Sequence, residues 1–182
     1  MPLPAGRVAL KTELKRGEID AGGFRFALVI SRWNDVLTSK LEAGAVEALI
    51  ESGADRGSIE IYGVPGSFEL PLACLKAAQS GSFDAVIALG VVIRGDTPHF
   101  DYVAGQAASG IMQASLTTGI PVLFGVITAD TTEQAEARCG GKSDNKGYEA
   151  ALSAVEMVNL LRKIGGSGDR SLVDEKVFPH VV

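Results

Sequence analysis

The chain has 182 residues, 46% apolar and 21% charged, so it can bury one sizeable core and is not a disordered segment. Its 17 Lys and Arg against 22 Asp and Glu leave a formal charge of −5, which argues against a nucleic-acid binder. Cys74 and Cys139 fit neither a zinc spacing nor a disulfide framework, and no apolar run reaches the ~18–20 residues of a membrane span.

Residues 1–16 read as an irregular leader, with Pro2, Pro4 and Gly6 and no apolar stretch of a secretory signal. The expected location is cytoplasmic, with no membrane partner and no metal. A single domain is expected over 17–164. Its first strand is predicted at Phe26–Ser31 and its first helix at Val36–Ser52, where Leu37, Leu41, Ala45, Ala48 and Leu49 share one side. A second strand, Ser58–Val64, leads to a helix over Ser67–Ser80. A third, Ala85–Ile93, leads to a helix over His99–Thr118. A fourth, Val122–Thr128, precedes a short helix over Thr131–Cys139 with Asp130 as its cap, then a long helix over Gly147–Ile164. Residues 165–182 start as a Gly/Ser linker and end in a short apolar tail.

The four runs are nearly continuous in apolar character, the mark of strands buried on both faces of a parallel sheet. Alternation of strand and helix, with right-handed crossovers, gives an α/β fold: a three-layer α/β/α sandwich around a central four-stranded parallel sheet. Ligands in such folds sit outside the carboxyl ends of the strands, so function is sought in the loops that follow them. No G-x-G-x-x-G follows the first strand, and there is no Walker A pattern, H-E-x-x-H or G-x-S-x-G.

The third loop, Arg94 to His99, is the richest. Pro98 suits a first helical position with Thr97 as cap, and free N–H groups at a helix start receive anions, phosphate above all. Asp96 would repel a phosphate unless its side chain turns away while its N–H contributes. An uncharged His99 in the first turn is a competent general base, a role typically worth ~10²–10⁴ in rate. In the second loop, Glu69 either complements the helix dipole or accepts hydrogen bonds from ligand hydroxyls. In the first, Trp33, the only tryptophan, is either core or a stacking surface for a heterocycle. Arg138, Lys142 and Lys146 form either a solvated basic face or a recognition set for phosphate and carbonyl groups. One chain cannot easily fold them onto the third loop, which points to a neighbouring copy.

The stretches FALVISRWND, VPGSFELP, GVVIRGDTPHFDYVAGQAASGI, PVLFGVIT and TTEQAEARCGGKSDNKGYEAALSAVEM stand in one order over about 17–164. Together they resemble the lumazine synthase family of riboflavin biosynthesis. The resemblance implies a flavodoxin-like fold and a transferase that condenses 5-amino-6-ribitylaminouracil with 3,4-dihydroxy-2-butanone 4-phosphate. Its products are 6,7-dimethyl-8-ribityllumazine, phosphate and two waters, with no cofactor or metal. By that resemblance Trp33 stacks on the pyrimidine ring and Asn34 hydrogen-bonds near it. Gly66, Ser67, Phe68 and Glu69 line the ribityl pocket. The backbone of Val91, Val92 and Ile93 reads the ring edge. Gly95, Asp96 and Thr97 hold the phosphate, and His99 shuttles protons. Phe124, Arg138 and Lys146 come from the adjacent subunit, with Arg138 on the phosphate.

The family assembles as pentamers, paired pentamers or sixty-subunit shells. The short turn from Gly140 to Gly147 favours the shell, Gly17–Gly22 matches the segment that pairs with a neighbour's sheet, and riboflavin synthase stands as a candidate partner. Two other readings stay open: a shell-forming paralogue with weak catalysis, and a flavin- or lumazine-binding module.

Overall fold

A computed structural model describes residues 14–165; the expected leader up to residue 13 and the tail from 166 lie outside the described residues. Four strands alternate with five helices there: β1 (Phe26–Ser31), α1 (Asp35–Glu51), β2 (Ile59–Val64), α2 (Leu70–Gln79), β3 (Ala85–Ile93), α3 (His99–Thr118), β4 (Val122–Ala129), α4 (Thr132–Ala137) and α5 (Lys146–Gly165). No helix among the described residues is long and apolar enough to cross a membrane.

The sheet is all parallel, in the order β2-β1-β3-β4, as the α/β reading requires. This is the flavodoxin-like order, in which the chain leaves β1 outward to β2 and then crosses back to β3. One core packs α1, α5 and α4 on one face of the sheet, through Leu41, Leu49, Ala135, Ala151 and Val155. The other packs α2 and α3 on the opposite face, through Leu70, Cys74, Ile111 and Ala114. Burying each Leu or Ile here contributes ~1.5–3 kcal/mol, so the two layers fix where every loop leaves the sheet.

Several boundaries moved for identifiable reasons. The central strands β1 and most of β3 are buried on both faces, but β2 and β4 are edges. Ile61, Tyr62 and Phe124 are therefore exposed despite their apolar character. The helix expected from Ser67 opens as a tight 3-10 turn over Ser67–Glu69 before α2 begins. The short helix after β4 is capped by Thr131, whose hydroxyl accepts from Gln134 N at 3.3 Å. Asp130 is not the cap, because its carboxylate is taken by Arg94. At α3 the cap position belongs to Pro98 rather than Thr97: Asp101 N donates to Pro98 O at 3.0 Å and the helix opens at His99. Glu18 and Asp20, in the segment expected to pair with a neighbour, give their carbonyls to Asn159 of the chain's own α5 and form no strand.

Candidate active site

The strand order places a crevice at the carboxyl ends of β1 and β3, where the following helices turn to opposite faces of the sheet. β3 continues to Ile93 beside β4, but its last partner on β1 is Leu89. The backbone edge from Gly90 to Ile93 is thus open toward the crevice, except where Asn34 Nδ2 donates to Val91 O at 3.0 Å. Asn34 reaches that carbonyl from a left-handed backbone conformation, φ 61°, which asparagine adopts more readily than most residues. The same turn throws Trp33 outward, 73% exposed, against a cleft of about 430 Å³ lined by Arg32, Trp33, Asn34, Asp35 and Pro65.

The second loop closes on the first. A β-carbon on Gly66 would lie 3.4 Å from Trp33 Cδ1, so the indole packs edgewise on bare backbone. Glu69 Oε2 accepts from Gly66 N at 2.8 Å, which pins the 3-10 turn. One Glu69 oxygen thus serves the fold and the other carries no hydrogen bond among the described residues. Ser67 is buried against β3, where only glycine fits: a β-carbon on Gly90 would stand 2.7 Å from Ser67 Oγ. That hydroxyl has no hydrogen-bond partner among the described residues, an uncommon state for a buried polar atom. Phe68 stands half exposed on the same turn.

The third loop adjoins the second, because α3 packs on the Ser67–Glu69 turn. The amides of Gly95, Asp96 and Thr97 donate to no group among the described residues, and they precede the twenty-residue helix α3. His99 is exposed in its first turn. Three free N–H groups and an imidazole within five residues suit an anion and a proton transfer. Arg94, quoted in the loop but given no role from sequence, braces it: Nε donates to Asp130 at 2.8 Å, and Nη1 meets Asp101 at 3.1 Å. The carboxylates, Asp130 first, hold the guanidinium's proton more tightly still.

Phe124, Arg138 and Lys146 do not join this crevice. Arg138 ends α4, in the layer of α1 and α5, while His99 belongs to the layer of α2 and α3. Arg138 Nη1 donates to Gln134 O at 2.8 Å on its own helix, and Lys146 Nζ pairs with Glu149 at 2.6 Å. Phe124 lies on edge strand β4 opposite Ala88, upstream of the open edge of β3.

These features define a class: a parallel α/β protein whose switch-point crevice joins a flat aromatic surface, an open backbone edge and a loop of unbonded amides beside a histidine. A model of the family described as 6,7-dimethyl-8-ribityllumazine synthase matches residues 23–162. Over 148 residues the chain is 53% identical to 6,7-dimethyl-8-ribityllumazine synthase of Syntrophus aciditrophicus (strain SB), covering 81% of this chain and 96% of that protein. The chain belongs to the 6,7-dimethyl-8-ribityllumazine synthase family.

Proposed function

We propose that this chain condenses 5-amino-6-ribitylaminouracil with 3,4-dihydroxy-2-butanone 4-phosphate to 6,7-dimethyl-8-ribityllumazine, the penultimate step of riboflavin biosynthesis. The observation that carries the site assignment is the meeting of three loops at one crevice, each offering what one part of these substrates needs. Trp33 offers a face for the pyrimidine, and the open edge of Val91, Val92 and Ile93, with Asn34, meets its polar rim. Gly66, Ser67, Phe68 and the spare Glu69 oxygen meet the ribityl chain, the orphan Ser67 hydroxyl included. Gly95, Asp96 and Thr97 offer amides to the phosphate.

The primary amine attacks the ketone, and loss of water leaves an imine. Phosphate then departs, and the second amine closes the ring with loss of another water. His99 takes and returns protons in these steps from the rim of the anion loop. Arg138 and Lys146 act in a neighbouring chain's crevice, where Arg138 meets the phosphate and Phe124 closes the pyrimidine side.

That sharing requires a neighbouring copy, and assembly from pentamers belongs to the same reading. Tyr102, Met112 and Leu116 fall on one exposed stripe of α3, with Leu72 on α2, an apolar surface that a second copy would cover. Within the turn from Gly140 to Gly147, Lys142 is tied to Glu47 and Glu51 and Asn145 to Lys40 O, which keeps the turn compact and supports a sixty-subunit shell. A cytoplasmic location and riboflavin synthase as partner belong to the same reading.

Purified protein mixed with both substrates should form the lumazine chromophore faster than the spontaneous reaction. No acceleration would leave the shell paralogue or flavin-binding module standing instead. Native mass should be a multiple of five 18.9 kDa chains, and a monomer would contradict the shared site.

A further inference from the structure

Arg94 spans the loop from Gly95 to Thr97 with a single side chain. Its backbone N–H donates to Ala129 O at 2.9 Å, which fixes its start at the end of β4. Its Nε donates to Asp130 Oδ1 at 2.8 Å, just past that strand. Its Nη1 reaches Asp101 at 3.1 and 3.3 Å, and its guanidinium lies 4.1 Å from the centre of the Phe100 ring. Asp101 and Phe100 belong to the first turn of α3. One planar group therefore joins the residue before Gly95 to the residues after Pro98 and to the neighbouring strand.

Between those anchors, Gly95, Asp96 and Thr97 have no hydrogen bonds of their own among the described residues. Pro98 limits the backbone of Thr97 at the helix end of the loop, and Arg94 ties that end to the strand end. Each exposed ion pair alone is worth little, but pairs that share a cation fixed at its backbone form a network whose members hold one another. The contacts also require arginine's shape. Two nitrogens of a rigid fork point to two carboxylates while the flat face rests on a ring, and an ammonium cannot satisfy all three.

We infer that Arg94 is a positioning residue for phosphate recognition: it holds the amides of Gly95, Asp96 and Thr97 in their anion-receiving arrangement without touching the anion itself. Its charge is spent on Asp101 and Asp130. This rests on the proposed function, which assigns the phosphate to these amides.

The test uses the assembled protein with Arg94→Gln, Arg94→Lys and Asp130→Asn. Binding of inorganic phosphate is measured by calorimetry, and KM is measured separately for each substrate. Arg94→Gln should weaken phosphate binding and raise KM for the phosphate substrate by about tenfold, as expected when misplaced groups lose orientation. KM for the pyrimidine should stay within about twofold, a split that general loosening of the fold would not give. Arg94→Lys should recover little of the loss. Asp130→Asn should show a smaller loss of the same kind, and combining it with Arg94→Gln should add less than the two losses together. Unchanged phosphate affinity in a folded Arg94→Gln protein, or equal rises in both KM values, would overturn the inference. If Arg94→Gln does not assemble, the near-isosteric Asp130→Asn protein decides by the same two measurements. Phosphate binding that depends on Arg94 in a protein unable to speed lumazine formation would overturn the catalytic reading and leave this one intact.

Discussion

Two ends of the same chain carry candidate chemistry, and they are built in opposite ways. At the crevice, groups from three loops converge: Asn34 on Val91, Trp33 on Gly66, Ser67 on Gly90, and α3 on the Ser67–Glu69 turn. They are held by the fold, yet they leave polar capacity unused, as in the Ser67 hydroxyl and the amides of Gly95 to Thr97. Between β4 and α5, Arg138 and Lys146 lie outside that crevice and are occupied within their own helices, and Lys142 is taken by Glu47 and Glu51 of α1. The crevice leaves donors and acceptors unused, while Arg138 and Lys146 are held only by local contacts, which is what the proposed sharing across a subunit boundary requires. A salt bridge such as Lys146–Glu149, exposed and local, is worth ~0.3–0.5 kcal/mol, so exchanging it for a substrate contact costs little.

The largest effect should come from combining one lesion in each region. His99→Ala should lower kcat by ~10²–10⁴, the usual range for a general acid–base group. Arg138→Ala should raise KM for the phosphate substrate by roughly tenfold to a hundredfold, as for a hydrogen bond to a charged group, and barely move KM for the pyrimidine. Co-assembled mixtures of the two variants should then recover about a quarter of the wild-type sites, because a crevice from one chain meets an arginine from the other. A mixture no more active than the sum of its parts would mean that both groups serve the same chain's site.

A smaller effect isolates the crevice. Ser67→Ala removes a hydroxyl that is buried without a partner in the free protein, so thermal stability should rise or stay level. If that hydroxyl meets the ribityl chain, KM for the pyrimidine should rise about threefold to tenfold while KM for the phosphate substrate holds. Loss of stability together with unchanged KM would assign Ser67 to packing alone.

Much of this was legible in the sequence. Phe26–Ser31, Ala85–Ile93 and His99–Thr118 stand where their apolar patterns put them, because the central strands are buried on both faces and α3 is long enough to show its period. The loop residues were found because function in this architecture gathers at strand ends. What the pattern could not show depended on distant partners. Asp130 looked like a cap because sequence shows neighbours along the chain, whereas Arg94 lies thirty-six residues away. Arg94 itself gave no signal, since one arginine after a strand is ordinary until Asp101, Phe100 and Asp130 are seen around it. The orphan state of Ser67 likewise needs the position of Gly90.

The smallest effect tests how firmly the cation-bearing region is held. Glu51 accepts from Lys142 and, at 2.9 Å, from the Tyr148 hydroxyl, which ties the turn before α5 to the end of α1. Those bonds, Lys142 first, hold the Glu51 carboxyl below its ordinary range, and the same contact raises the Lys142 ammonium above its own. The Glu51 contribution is therefore present above the ordinary carboxylate range and disappears as pH falls through the lowered value. The Lys142 contribution is complete below the ordinary lysine range and is lost only at strongly alkaline pH. Both operate at neutrality. All these groups are exposed, so Glu51→Gln should lower Tm at pH 7 by only about a degree or two. The deficit should shrink steadily on acidification, until wild type and variant melt together where the wild-type carboxyl is itself protonated. Because the turn lies beside Arg138 and Lys146, the same variant should raise KM for the phosphate substrate slightly at pH 7 and leave KM for the pyrimidine alone. A deficit that grows toward acid pH would show that Glu51 repels its surroundings rather than securing them, and the turn would then owe its shape to Asn145, which bonds Lys40 O and the amides of Gly147 and Tyr148.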